Sequence, residues 1–124
     1  MIKIGDIYRI KMNPEDGITP KGTDTYRNKY IIIVGRNDND CYGVVVTNTK
    51  DHPLIPIKFQ YPLNLDGYKC YANCRKLFKI TSSRLTFHDC KGKISDGDLA
   101  LIIGCVQESD IIPKSELKEF GIIK

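Results

Sequence analysis

Two short apolar runs constrain this chain more than anything else in it. They are Ile31-Ile32-Ile33-Val34 and Val44-Val45-Val46, separated by the turn-forming Asn37-Asp38-Asn39-Asp40. Consecutive β-branched residues put apolar groups on both faces of a strand, so each run reads as a strand buried on both sides. The polar tetrapeptide between them makes the two strands partners in a hairpin. Each run also carries polar side chains at one end: Tyr26-Arg27-Asn28-Lys29-Tyr30 leads into the first, and Thr47-Asn48-Thr49 follows the second. Side by side, such strands hold cations beside hydroxyls on a rigid floor, an arrangement suited to gripping a phosphodiester.

Around this hairpin the dominant period is two. In Ile7 to Met12, Tyr8, Ile10 and Met12 share one face and Arg9 and Lys11 the other, as on a half-exposed strand. Asn13 to Thr25 reads as a long polar loop of the kind that often carries function. Leu54 to Phe59 alternates, but Pro56 removes an amide, which predicts an edge strand or a bulge. Leu63-Asn64-Leu65-Asp66-Gly67 reads as a turn, and Lys69–Ala72 and Lys76–Thr81 as further strands, the latter with Phe78 and Ile80 inward. Ser82 to Leu85 reads as a bend or one helical turn. Ser95 is placed to cap a helix with Asp98 in the capping-box position, and Leu99, Ile102, Ile103 and Val106 form its apolar stripe. Pro113 opens a second short helix that Gly121 ends. The expected architecture is mostly β with C-terminal helix: five or six strands closed into a small barrel. It forms a single domain over 1–124, with barrel and covering helix over 5–106 and a helical extension over 111–124.

At 124 residues, 41% hydrophobic and 27% charged, the composition is that of one folded domain. No apolar stretch approaches the roughly 20 residues of a membrane span. The opening Met1-Ile2-Lys3-Ile4-Gly5-Asp6 has no signal-peptide character. With five cysteines, an odd number, the expectation is reduced thiols in a cytoplasmic protein. Net charge is +4, but Lys69 to Lys93 holds seven basic residues, Arg75 and Lys76 among them, against the single acid Asp89. Such a local field favours a polyanionic partner, and a solvated lysine-rich face is the equally available reading.

No glycine-rich phosphate loop, zinc-protease helix or nucleophile elbow occurs. The two histidines, His52 and His88, fall in different loops, and Asp38 and Asp40 read as turn residues. Cys70, Cys74, His88 and Cys90 supply zinc-ligand types, but their spacing is atypical of a structural zinc site, and an even offset of Cys70 and Cys74 suits core packing as well.

The order of these features resembles the MazF/PemK family of toxins. Gly5-Asp6-Ile7-Tyr8 opens the first strand. Lys29-Tyr30-Ile31-Ile32-Ile33-Val34 follows a polar loop, and Val44-Val45-Val46-Thr47-Asn48-Thr49 precedes His52-Pro53. Leu65-Asp66-Gly67, the stretch from Tyr71 to Phe78 and the Gly97-to-Val106 helix then follow in the family's order. The resemblance covers about Gly5 to Val106. It implies an SH3-like barrel acting as a homodimer, the toxin of a type II toxin–antitoxin pair, inhibited by an acidic antitoxin protein. It also implies cleavage of single-stranded RNA without a cofactor or metal, leaving 2′,3′-cyclic phosphate and 5′-hydroxyl ends. The family's threonine carries over to Thr47. Its arginine precedes a proline that this chain lacks; Arg27 preserves the residue type, and Lys29 falls on the position.

In-line attack by a ribose 2′-hydroxyl builds negative charge on the phosphorane oxygens, which a fixed cation stabilises most in the transition state. Arginine does so bidentately and lysine as a point charge, while Thr47 can donate to a non-bridging oxygen. Tyr26, Asn48, Thr49 and Lys50, with Arg75 and Lys76 in the basic stretch, are the candidate RNA-binding residues, and Tyr30 reads equally as a stacking or a core residue. Without the resemblance, Arg27 reads as an exposed loop cation and Thr47 as a strand-end hydroxyl satisfying a turn. The alternative function is a non-catalytic barrel that binds RNA or an acidic peptide through its basic surface.

Overall fold

A computed structural model describes residues 2–12, 27–47, 57–65 and 67–123, with backbone alone at Arg27 and Ile57. Its strands are β1 (Asp6–Met12), β2 (Arg27–Arg36), β3 (Asp40–Thr47), β4 (Gln60–Leu65), β5 (Tyr68–Asn73), β6 (Phe78–Thr81) and β7 (Cys90–Lys93), followed by helices α1 (Asp96–Gln107) and α2 (Lys114–Glu119). All strand pairs are antiparallel, in the order β4-β5-β3-β2-β1-β7, with β6 also on β3. The free edge of β3 is shared: Asp40–Gly43 pair with β6, and Val46 and Thr47 pair with β5. A strand that changes partners along its length turns a corner. Two register shifts add bend, with Val34 the extra residue in β2 and Lys91 in β7. The result is a curled antiparallel sheet.

The double-sided burial expected of the central hairpin is met by two core clusters. Ile32, Val34, Val44 and Val46 face one of them, together with Ile102, Val106, Leu117 and Phe120 from the helices. Ile31, Ile33 and Val45 face the other, with Tyr8, Ile10, Met12, Phe78, Ile80 and Leu85. The alternation of β1 thus holds, with Ile7 passing to the helix side.

α1 begins where Ser95 predicts. Its Oγ accepts from the Asp98 N–H at 3.1 Å, while the Asp98 carboxylate accepts the Tyr61 hydroxyl at 3.0 Å, which ties the helix start to β4. Of the expected stripe, Ile102 and Val106 are fully buried, and Leu99 and Ile103 pack at its edge. α2 ends in a Schellman turn: Gly121 has φ of +75°, Ile122 N–H donates to Leu117 O at 2.9 Å, and Gly121 N–H to Lys118 O at 3.1 Å. The tail packs on the sheet, where the Phe120 ring stacks on Tyr42 with centroids 3.3 Å apart. Gly35 permits this approach, since a Cβ there would lie 2.9 Å from Phe120 Cβ.

Two local expectations are corrected, and one strand that the sequence did not suggest is added. Ile57–Phe59 is a 3₁₀ turn rather than strand, which buries Phe59 and lets its carbonyl accept from Cys74 N–H at 2.8 Å; residues 54–56 lie outside the described residues. Leu63 to Leu65 continue β4 rather than turn, and the chain reverses at Gly67. β7, with its Lys91, Gly92 and Lys93, has little apolar signal and exists by pairing with the edge of β1.

Candidate active site

Lys29 and Thr47 lie just beyond the last pair of the central hairpin. Ile10 pairs with Lys29, Ile31 with Val45, and Thr47 with Tyr71. The β2–β3 pairing ends at Ile31–Val45; beyond it β2 stays paired with β1 and β3 with β5, and Lys29 and Thr47 share the strand parity of Ile31 and Val45. Lys29 and Thr47 are both half-buried. Behind them Ile31 is fully buried and Val45 nearly so, which makes the floor rigid.

Arg27 begins β2, two residues beyond Lys29, and its backbone pairs with Met12. Tyr26, Asn48, Thr49 and Lys50 lie outside the described residues, as does His52. Tyr30 points to the opposite face from Lys29 and packs against the helix-side core.

Arg75 and Lys76 stand elsewhere, beyond the end of β5 and toward the opposite end of β3 from Thr47. The Arg75 guanidinium grips Asp110 with two contacts of 3.0 and 3.3 Å, and Ser109 Oγ donates to the Arg75 carbonyl at 2.6 Å. This knot ties the β5–β6 turn to the segment after α1. The hydrogen bond from Arg75 holds the Asp110 carboxyl below the usual carboxylate range. Lys76 Nζ lies 4.8 Å from the Phe78 ring centroid. Lys79 reaches Asp40 at 3.7 Å, so acids from outside the basic stretch meet two of its seven cations.

The cysteines are free thiols. Cys70 and Cys74 are buried, each donating to a backbone carbonyl at 3.8 Å, and burial pushes both thiols up. His88 is exposed beside Phe87. Among the described residues no three or more His, Cys, Asp or Glu gather as metal ligands, so Cys70, Cys74, His88 and Cys90 do not form one site. Asp38 and Asp40 flank a turn that Asn37 organises, its side chain accepting from Asn39 and Asp40 N–H at 2.9 and 2.8 Å.

One feature escaped sequence reasoning. On the helix-side face of the sheet, at its Thr47 end, lies an open cleft of about 460 Å³ lined by Arg9, Tyr30, Val46, Leu65, Tyr68 and Lys69. Its members come from five strands, β1 to β5, and only Arg9 and Lys69, as charged strand positions, gave a hint.

Among the described residues no helix is long and apolar enough to cross a membrane. In comparison with known proteins, no family model matches the chain, and no curated protein matches it.

Proposed function

We propose that the chain is a MazF/PemK-like toxin with an SH3-like barrel, an endoribonuclease that cuts single-stranded RNA. The observation that supports this reading is the position of Lys29 and Thr47, each two residues past the Ile31–Val45 pair at one end of the buried hairpin. A cation and a hydroxyl there share a rigid, half-buried floor, where charge–charge and hydrogen-bond stabilisation exceed their value in water. Lys29 stabilises the negative charge that builds on the phosphorane oxygens, and Thr47 donates to a non-bridging oxygen. The ribose 2′-hydroxyl is the nucleophile: its oxygen forms the new P–O bond as the 5′-oxygen leaves, giving 2′,3′-cyclic phosphate and 5′-hydroxyl ends. Arg27, two residues beyond Lys29, is a second cation for the flanking phosphate. The resemblance of the sequence supplies the rest: a homodimer held in check by an acidic antitoxin protein.

The test is incubation of the purified full chain with a long single-stranded RNA in excess EDTA, followed by end-group analysis. Cyclic-phosphate and 5′-hydroxyl ends are expected. Intact RNA, or cleavage leaving 5′-phosphate ends, would overturn the reading.

A further inference from the structure

The cleft of about 460 Å³ joins two cations to two tyrosines. Arg9 lies over the Tyr30 ring, 6.0 Å from its centroid. Tyr68 is 75% exposed, one of the most exposed large hydrophobic side chains described, and Lys69 beside it is exposed as well. Val46 and Leu65 supply apolar lining, and none of the described lining residues is acidic. Flat aromatic faces, an apolar lining and two cations match one chemical class well: a base bearing a phosphate. An acidic peptide would use the cations and leave the aromatic faces without a stacking partner.

The position adds a second argument. Tyr30 and Val46 immediately adjoin Lys29 and Thr47 in sequence, so the cleft and the cation and hydroxyl occupy the same end of the sheet on its two faces.

We infer that this cleft is a nucleotide subsite for single-stranded RNA, in which a base stacks on Tyr68 and Arg9 and Lys69 hold its phosphates. This rests on the RNA-cleaving reading above and adds to it where the strand is gripped.

The experiment measures binding of a fluorescein-labelled, fully 2′-O-methylated 12-nucleotide single strand, which lacks the attacking hydroxyl, by anisotropy across a salt series. Cleavage of unmodified RNA is assayed in parallel. Tyr68→Ala is expected to weaken binding roughly tenfold, within the span of base–aromatic stacking, while Tyr68→Phe retains it. Arg9→Gln and Lys69→Gln each flatten the dependence of log Kd on log salt by about 0.7, one single-strand phosphate contact. Lys114→Gln on α2 leaves both unchanged. Wild-type binding by Tyr68→Ala and Lys69→Gln would overturn the subsite, even if the chain cleaves RNA. Binding that depends on Tyr68 and Lys69 in a chain that never cleaves would keep the subsite and remove the nuclease reading. A polyglutamate peptide bound with the same Tyr68 dependence, and no oligonucleotide bound, would assign the cleft to an acidic peptide instead.

Discussion

Replacing Gly43 with alanine tests the register on which the candidate site depends. Gly43 pairs with Ile33 in the β2–β3 ladder. An added Cβ would lie 2.4 Å from Ile31 Cγ1, 2.7 Å from Ile31 Cδ1 and 3.1 Å from the Ile32 carbonyl oxygen. Carbon atoms pack best at about 3.5–4.0 Å, so the first two contacts are roughly 1 Å too close. Ile31 is fully buried and cannot swing into solvent. Alanine would otherwise gain about 0.5–1 kcal/mol over glycine within a strand, so a net loss reports the clash. Overpacking a core costs about 1–3 kcal/mol, and the rigid neighbour puts Gly43→Ala at the upper end. Ile31→Ala alone costs about 2–5 kcal/mol. Combined, the new methyl enters space that Ile31 vacates, and the double mutant should be more stable than the sum of the two losses by about 1–3 kcal/mol. Urea unfolding of the four proteins, at constant slope, measures this. Losses that add to within about 0.5 kcal/mol would refute the packing of Gly43 on Ile31, and with it the β2–β3 alignment that ends at Ile31–Val45, the pair next to Lys29 and Thr47.

Two further outcomes follow from the same structure. Phe120→Ala removes the ring stacked on Tyr42 and should cost about 3–5 kcal/mol; because a six-residue helix is not stable alone, proteases should also cut earlier near Lys114–Glu119. Burial, with Asp6 and Glu116 nearby respectively, pushes the Tyr8 and Tyr42 hydroxyls from 10.0 up to about 12. The folded state therefore holds protons that the unfolded state releases first. The stability these groups contribute is intact below pH 10 and is lost as pH rises toward 12. Urea midpoints should fall across that window, and Tyr42→Phe should shrink the fall; an equal fall in the variant would contradict the assignment.

The sequence was most legible where local pattern and tertiary environment agree. Consecutive β-branched residues in Ile31–Val34 and Val44–Val46 demand burial on both faces, and both core clusters meet on them. Ser95, Pro113 and Gly121 mark helix ends through local backbone chemistry, and the helices end there. Legibility failed where distant pairing decides. Asn64, Asp66 and Gly67 resemble an early turn, yet Leu63 and Leu65 pair with Cys70 and Tyr68. Cys90–Lys93 is a strand only because β1 offers an open edge. Thr47 could be singled out from sequence, but whether Arg27 or Lys29 lies next to the end of the hairpin depends on register, which period-two patterning leaves open by two residues. The Arg9–Lys69 cleft joins residues far apart in the chain, and no local pattern connects them.

The central claim is that Lys29 and Thr47 act together on a phosphodiester. Single-turnover cleavage of a single-stranded RNA by the wild-type chain and by Lys29→Ala, Thr47→Ala and Arg27→Ala tests it most directly, with circular dichroism confirming each fold. Lys29→Ala and Thr47→Ala should each slow cleavage about 100-fold or more, and Arg27→Ala should slow it less. Wild-type rates from Lys29→Ala and Thr47→Ala would contradict the claim.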